Sequence, residues 1–175
     1  PYGNRLSKQP SFNDFFTKKR EDGQLERAIP AFRPIYTAAY ISDRFYFKDL
    51  TFNVGVRFDR FDANQSVLKD EYSLYPIQEA SEVTSIGGNP VAHPSNIGSD
   101  YKVYVDNSKA RTAIVGYRNN GTWYDRFGNE LTSGKTVAGS SSTGTIQPLL
   151  KDANSDIKQP DKFDPNGTFE DYKPK

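Results

Sequence analysis

The sequence contains no cysteine and only one histidine, His93. The absence of cysteine excludes disulfide bonds, thiolate metal sites and cysteine nucleophiles. His93 has no cysteine with which to form a common zinc site, and no nucleophile motif accompanies it. The sequence therefore predicts a protein that is not an enzyme and that binds no cofactor.

Long apolar runs are also missing. No stretch approaches the roughly 18 apolar residues of a transmembrane helix, and residues 1–5 do not form a secretory signal, so an exported chain would be numbered from after its signal. The net charge of +1 gives no indication of a nucleic-acid partner. Hydrophobic residues make up 35% of the chain and aromatic residues 14%. Apolar surface concentrated in rings favours a β-rich protein, or one whose apolar face meets lipid or a partner.

Near-perfect alternation of apolar and polar residues runs through residues 35–61 and is the strongest pattern in the chain. The apolar positions of its second half are Leu50, Phe52, Val54, Val56 and Phe58. A tilted strand of about 9–11 residues crosses a bilayer, and residues 50–59 have that length. We predict a transmembrane β-hairpin over residues 35–61, with a short periplasmic turn at residues 48–49.

A two-residue turn fixes the register of this hairpin. Phe47 then pairs with Leu50, and Ile41 with Val56. Asp43 opposite Val54 is the one polar residue among these apolar pairs, which indicates either a position close to headgroup water or a bulge in the register. The other face is predicted to border a water-filled or plugged lumen, with four lumen-facing candidates: Tyr40, Arg44, Arg57 and Asp59.

The segments on either side of the hairpin are polar and rich in turn residues. Residues 1–34 are predicted to be an extracellular loop with a short helix, because Ser11 and Asp14 resemble a capping box. Residues 62–175 are predicted to be a long extracellular loop that contains a small β-meander over residues 101–106, 112–118 and 122–125. Its Gly/Ser and Asp/Pro stretches predict that much of its conformation depends on the rest of a receptor.

Three rings of the meander are candidate ligand contacts: Trp123, Tyr124 and Tyr117. The alternative is that these rings form the loop's own small core. Asp152, Asn154 and Asp156 have the spacing that begins a calcium loop, but Ile157 stands where an EF-hand requires glycine. An EF-hand is excluded, and an irregular calcium site in this loop remains open.

The stretches Phe-Arg-Pro-Ile-Tyr-Thr-Ala-Ala-Tyr-Ile-Ser-Asp-Arg-Phe at 32–45 and Leu-Thr-Phe-Asn-Val-Gly-Val-Arg-Phe-Asp at 50–59 resemble a known family. The resemblance is to the barrel region of TonB-dependent outer-membrane receptors, especially the large receptors of Bacteroidota with a carboxypeptidase-regulatory-like N-terminal domain. Residues 60–65, 75–77 and 93–98 resemble the extracellular loop of that subgroup. The chain departs from the family pattern because it has no plug domain, no TonB box and only two spanning strands.

The resemblance implies an all-β fold, here a fragment of a transmembrane antiparallel β-barrel of about 22 strands with an internal plug. It implies energised uptake of a nutrient such as a glycan, a peptide or a chelate, with no covalent chemistry. The implied partners are the remaining strands and plug of the same receptor, the TonB complex and outer-membrane lipid, and a surface lipoprotein is a further candidate. The implied location is the cell outer membrane, with most of this segment on the extracellular side.

Two other classes of function remain open. A secreted all-β binding or adhesion module would use the same alternation for a sheet with one face on a protein core. A hydrolase would need a pair of carboxylates, and 22 acidic residues always offer pairs, although nothing singles one out.

Overall fold

The structure is a computed structural model that describes residues 8–107, 111–140, 144 and 146–172. The strands, in chain order, are β1 (Ile35–Phe47), β2 (Leu50–Asp62), β3 (Ser66–Leu68), β4 (Ser85–Ile86), β5 (Asn89–Pro90), β6 (Lys102–Val105), β7 (Ile114–Asn119), β8 (Thr122–Asp125), β9 (Glu130–Leu131), β10 (Gln147–Pro148) and β11 (Phe169–Asp171). The helices are α1 (Asp14–Thr17), α2 (Gly134–Ser140) and α3 (Pro165–Thr168), with 3-10 turns at Ala80–Glu82 and Pro160–Lys162.

Strands predominate over short helices, which confirms the all-β class. None of the helices in the described part of the chain is long and apolar enough to cross a membrane. The described strands form one five-stranded sheet and three two-stranded sheets, and they do not close into a barrel. The chain divides into two compact units, of which the first comprises residues 1–69 and 169–175 and the second residues 70–168.

The first unit is dominated by the β1–β2 hairpin, which pairs in the predicted register over the full length of both strands. Phe47 lies opposite Leu50 and Ile41 opposite Val56, so the predicted pairing is confirmed. Asp43 lies opposite Val54 in an unbroken ladder, so the bulge that was one explanation for its position is wrong. A two-residue turn joins the strands, with Lys48 at a positive φ of 53°.

The remainder of the first unit joins sequence from both ends of the described chain. Strands β3 and β11 pair antiparallel, with Ser66 opposite Asp171. The predicted short helix is present as α1 and is a single turn. Its start is held by reciprocal bonds, because Asp14 N donates to Ser11 Oγ at 3.2 Å and Ser11 N donates to Asp14 Oδ2 at 2.7 Å. Phe16 of α1 stacks on Phe169 of β11 with 5.3 Å between ring centroids.

The second unit is built on a five-stranded antiparallel sheet in the order β10-β6-β7-β8-β9. Its three central strands confirm the predicted meander, whereas the two-residue edge strands β9 and β10 were not predicted. Asn120 has a φ of +49° in the turn between β7 and β8, and Gly121 does not have a positive φ. The turn is therefore not the type I′ turn that Asn-Gly favours, since that turn needs positive φ at both residues.

Two apolar clusters pack against this sheet. One gathers Ala80, Val83, Ile86, Val103, Val105, Tyr117 and Leu149, and the other gathers Ile77, Tyr104, Val115, Trp123 and Val137. The fully buried Val137 brings α2 onto the second cluster. The long loop expected from the sequence thus contains a unit with its own core, and Tyr117 and Trp123 belong to it.

Candidate functional site

The described part of the chain covers neither face of the β1–β2 hairpin. Ile41 on its apolar face is 71% exposed, and Tyr40 on its polar face is 80% exposed. The apolar face carries the large exposed side chains Ile35, Ile41, Phe45, Phe47, Leu50, Phe52, Val54, Val56 and Phe58. An isolated two-stranded hairpin is marginally stable in water, and an apolar patch of this extent marks a contact surface.

The length of the apolar face matches the apolar layer of a bilayer. From the Phe47–Leu50 pair to the Ala39–Phe58 pair there are eight residue steps, or roughly 27 Å along the strand. A tilt of about 35–45° reduces this to roughly 20 Å, close to the apolar band of about 25 Å on outer-membrane barrels. Arg60 and Asp62 then follow on the same face, where they end the apolar surface.

Asp43 interrupts the apolar face halfway between the Phe47–Leu50 and Ala39–Phe58 pairs. Its Oδ1 accepts a hydrogen bond from the backbone N–H of Arg44 at 2.7 Å. Asp43 lies four residues from Phe47, which is roughly 13 Å along the strand and less in depth once the strand is tilted. A carboxylate halfway along a face covered by lipid would be costly, because the cost of a charged side chain is highest at the bilayer midplane and falls toward the interfaces.

All four lumen-facing candidates lie on one face of the hairpin. Tyr40 stands opposite Arg57, and Arg44 stands opposite Asn53 and donates from Nε to its Oδ1 at 2.7 Å. Asp59 accepts a hydrogen bond from Arg57 Nε at 2.9 Å. The shared face is therefore present, and its orientation toward a lumen stays a prediction.

Tyr36 belongs to the same polar network and was missed in the sequence. Its hydroxyl accepts a hydrogen bond from the Arg57 guanidinium at 2.9 Å and donates one to Asp59. The alternation that placed Tyr40 on the polar face extends to Tyr36, four residues earlier, and would have identified it.

The three candidate ligand-contact rings are placed differently from one another. Trp123 is 7% exposed and Tyr117 is 2% exposed, so both belong to the core of the second unit. Tyr124 is half-buried, and its ring lies 5.2 Å from that of Tyr101. Burial removes Trp123 and Tyr117 from any exposed aromatic platform, and the alternative of a local core describes them.

Tyr117 also forms a hydrogen bond with His93, the only histidine of the sequence. The Tyr117 hydroxyl lies 3.0 Å from His93 Nδ1, and His93 Nε2 lies 2.8 Å from the carbonyl oxygen of Val83. Because a carbonyl only accepts, Nε2 carries the proton and Nδ1 accepts from the tyrosine. Burial raises the pKa of Tyr117 from 10.0 to about 12.

This raised pKa predicts alkaline destabilisation of the second unit. The unfolded chain ionises Tyr117 near pH 10 and the folded chain only near pH 12, so stability is complete below pH 10 and falls as the pH rises through 12. Two pKa units correspond to a loss of about 2–3 kcal/mol. Urea midpoints recorded by circular dichroism from pH 8 to strong alkali check this. Tyr117→Phe should lose less stability over the same range, and an identical loss in that variant would contradict the assignment.

A buried arginine lies beside Tyr104 and Trp123 of the second apolar cluster. Arg118 is 4% exposed and donates to the Tyr104 hydroxyl at 2.9 Å and to the carbonyl oxygen of Asn120 at 2.6 Å. It also forms an ion pair with Asp70, and its guanidinium lies 4.6 Å from the ring centroid of Tyr72. Burial raises the pKa of Tyr104, although the charge of Arg118 acts in the opposite direction.

Two clefts open on the second unit. The first, of about 290 Å³, is bordered by β7 and the β8–β9 turn, and Tyr117 contributes to its lining together with Arg126 and Phe127. The second, of about 330 Å³, lies beside Tyr75 and Phe163. Arg126 and Phe127 were not among the residues predicted from the sequence, although the turn residues Asp125, Gly128 and Asn129 around them indicate an exposed turn.

The described residues contain no group of three or more His, Asp or Glu side chains placed to hold a metal ion. In the loop where a calcium site was left open, Asp152 Oδ1 accepts from Asn154 N at 2.8 Å and Asp156 Oδ1 accepts from Lys158 N at 2.9 Å. These carboxylate oxygens close local turns.

Comparison with family models, with curated proteins and with solved structures finds no match for this chain.

Proposed function

We propose that this chain is part of a TonB-dependent outer-membrane transporter that takes up a nutrient by energised transport. The observation that carries the proposal is the β1–β2 hairpin, whose thirteen-residue strands bear one exposed, largely apolar face and have no partner on either outer edge among the described strands. In lipid, unpaired strand edges cost several kcal/mol per backbone group, so each edge requires a further strand. In a barrel wall, neighbouring strands pair with both edges of the hairpin and lipid covers its apolar face.

The two faces of the hairpin then have different roles. Lipid covers Ile41 and its apolar neighbours, while the face with Tyr40, Arg44, Arg57 and Asp59 borders the lumen. The Lys48–Asp49 turn lies on the periplasmic side, and the second unit stands on the extracellular side. The receptor binds and moves its nutrient without covalent chemistry, in partnership with a plug, the TonB complex and the rest of the barrel.

A secreted binding or adhesion module is the second candidate, favoured by the buried core of residues 70–168. Such a module would have to cover Leu50, Phe52 and Val56 with protein. The described residues leave all three at least 47% exposed. In a transporter, lipid would cover this face, whereas a secreted module has no lipid to cover it.

Adjacent cysteine substitutions in β1 test the membrane assignment, and the chain has no native cysteine to interfere. Ile41→Cys and Ser42→Cys lie at the same depth on opposite faces. With the full protein in intact outer membranes, a water-soluble maleimide should label Ser42→Cys at least tenfold faster than Ile41→Cys, because only the first faces water. Equal labelling of the two positions, or recovery of the protein in the soluble fraction, would contradict the proposal.

Energy coupling has a readout of its own. Arg57→Cys on the polar face should change its labelling rate when a protonophore collapses the proton gradient of living cells, because energised transport moves groups in the lumen. Ser11→Cys in the proposed extracellular segment is the matched control and should keep its rate. An Arg57→Cys rate that is the same with and without the gradient would argue for a passive barrel.

A further inference from the structure

The β8–β9 turn of the second unit is held in one conformation by its own hydrogen bonds. Asp125 Oδ1 accepts from Phe127 N at 2.8 Å and from Asn129 N at 2.9 Å, and Oδ2 accepts from Asn129 Nδ2 at 2.9 Å. Gly128 has a φ of +89°, and its carbonyl accepts from Asn96 Nδ2 at 2.6 Å. These bonds hold the turn without using the side chains of its two outward residues.

Those outward residues are Arg126 and Phe127. Phe127 is 65% exposed, and the Arg126 guanidinium lies 4.6 Å from its ring centroid. An exposed ring and an arginine on a turn that is already ordered can bind a partner with little loss of conformational entropy. Aromatic and arginine side chains in such settings often supply much of the binding energy of a contact.

Both residues border the 290 Å³ cleft, whose other walls combine apolar residues such as Val91 and Ile114 with the polar Asn89 and Thr112. The volume is close to the lower end of about 300 Å³ for ligand pockets, so the cleft suits a small apolar body. Tyr117 lines it as well and is held by His93. The cleft therefore combines ordered apolar walls with a single guanidinium.

The charges around the cleft are unbalanced. Asp125 is occupied by the turn, and Asp106 accepts from Ala113 N at 3.1 Å and from the Thr112 hydroxyl. These bonds keep the pKa of both carboxyls below the usual range, despite the opposing effect of burial. Among the described residues, Arg126 has no ion pair with a carboxylate. The cleft thus offers the cation of Arg126, and the carboxylates of Asp125 and Asp106 are engaged in other hydrogen bonds.

We propose that this cleft binds an apolar carboxylate, with the carboxylate on Arg126 and the apolar group between Phe127, Val91 and Ile114. The ligand is either a free aliphatic carboxylate or the C-terminal apolar residue of a peptide, since both present the same chemistry. All the residues involved belong to the second unit, so the site does not depend on the proposed transport function.

N-acetyl-leucine and its uncharged amide are the probes, measured by equilibrium dialysis against the full chain in detergent with detergent alone as reference. The acid should bind saturably and the amide about tenfold more weakly. Arg126→Gln should weaken binding of the acid by about tenfold, and Arg126→Lys should retain part of it. Lys158→Gln, which removes an exposed charge elsewhere in the same unit, should have no effect.

Each alternative outcome decides against the site or between its ligands. Equal binding of acid and amide, unchanged binding by Arg126→Gln, or no saturable binding of the acid would overturn the proposal. Tryptophan fluorescence confirms that each variant is folded, because Trp123 is the only tryptophan and is buried. Tighter binding of acetyl-Ala-Ala-Leu than of acetyl-leucine would identify a peptide C-terminus as the ligand. Equal binding of the two would identify a free carboxylate.

Discussion

Replacing Arg118 with methionine is expected to lower the free energy of unfolding of the second unit by about 3–5 kcal/mol. The substitution preserves most of the apolar stem and removes only the guanidinium. Asp70 and the Tyr104 hydroxyl then lose a charged partner in a region that is largely screened from water. A buried ion pair adds little when it is intact, but removal of one member leaves the other charge without compensation.

Fluorescence of the full chain in detergent during urea titration measures this loss. Trp123 is the only tryptophan, and the Arg118 guanidinium lies 5.7 Å from its ring centroid, so the signal reports this unit. The midpoint should fall while the slope of the transition stays constant, because the surface exposed on unfolding is nearly unchanged.

Two further variants separate the ion pair from general arginine loss. Arg126→Met removes an exposed arginine of the same unit and should change stability by less than about 0.5 kcal/mol. Adding Asp70→Asn to Arg118→Met should restore part of the lost stability, because the uncompensated carboxylate disappears. Stability of Arg118→Met equal to that of the native chain would show that the pair has no structural role.

The hairpin was the part of the fold most accessible to sequence analysis. Side-chain direction alternates in a strand, so one face can be read from Leu50 to Phe58 without knowledge of any other segment. The two-residue turn at Lys48 then fixes every pair as far as Ile35 opposite Asp62. Register and faces are local properties of this segment, whereas the identity of what covers the apolar face is not.

The meander was predicted from short strand-like segments and the Asn120-Gly121 turn signal, but its edge strands and its buried charge were not predicted. β9 and β10 have two residues each, too few to show a period. The sequence places Arg118 beside Tyr117 with no indication of burial. Its partner Asp70 lies 48 residues earlier, and only the folded chain brings the two together.

Average composition gave little indication of the core of the second unit. The Gly/Ser and Asp/Pro stretches predicted a loop whose conformation depends largely on the rest of a receptor, although a small core of the meander rings was the alternative. Gly134 instead begins α2, and Val137 of that helix packs into a cluster with Trp123. The Gly/Ser stretch predicted to be flexible covers residues 139–144, of which residues 141–143 lie outside the described residues. A small number of well-placed apolar side chains sufficed for a core that average composition did not reveal.

Gly116→Ala is expected to destabilise the second unit by about 3 kcal/mol or more, at the upper end for overpacked cores. Gly116 lies in β7 opposite Asp125 of β8. A Cβ added there would come within 2.5 Å of the carbonyl oxygen of Tyr124 and 2.5 Å of Val137 Cγ1. Neither neighbour can move freely, because the first is a backbone atom and the second belongs to a fully buried side chain of α2.

The opposing effect of this substitution is smaller. Alanine reduces the conformational freedom of the unfolded chain and stabilises by about 0.4–1 kcal/mol where its Cβ fits. Gly121→Ala shows that effect alone, since nothing lies within 4 Å of its added Cβ. We expect its urea midpoint to equal or slightly exceed that of the native chain, and the Gly116→Ala midpoint to fall well below both.

A double variant distinguishes the two contacts of the added methyl group. Val137→Ala removes one of them, so Gly116→Ala with Val137→Ala should recover some stability relative to the sum of the single variants. Recovery should stay incomplete, because the Tyr124 carbonyl remains and the shortened Val137 leaves a cavity. Full additivity would mean that Val137 moves aside at no cost, and a Gly116→Ala midpoint matching that of Gly121→Ala would contradict the close packing of α2 on this sheet.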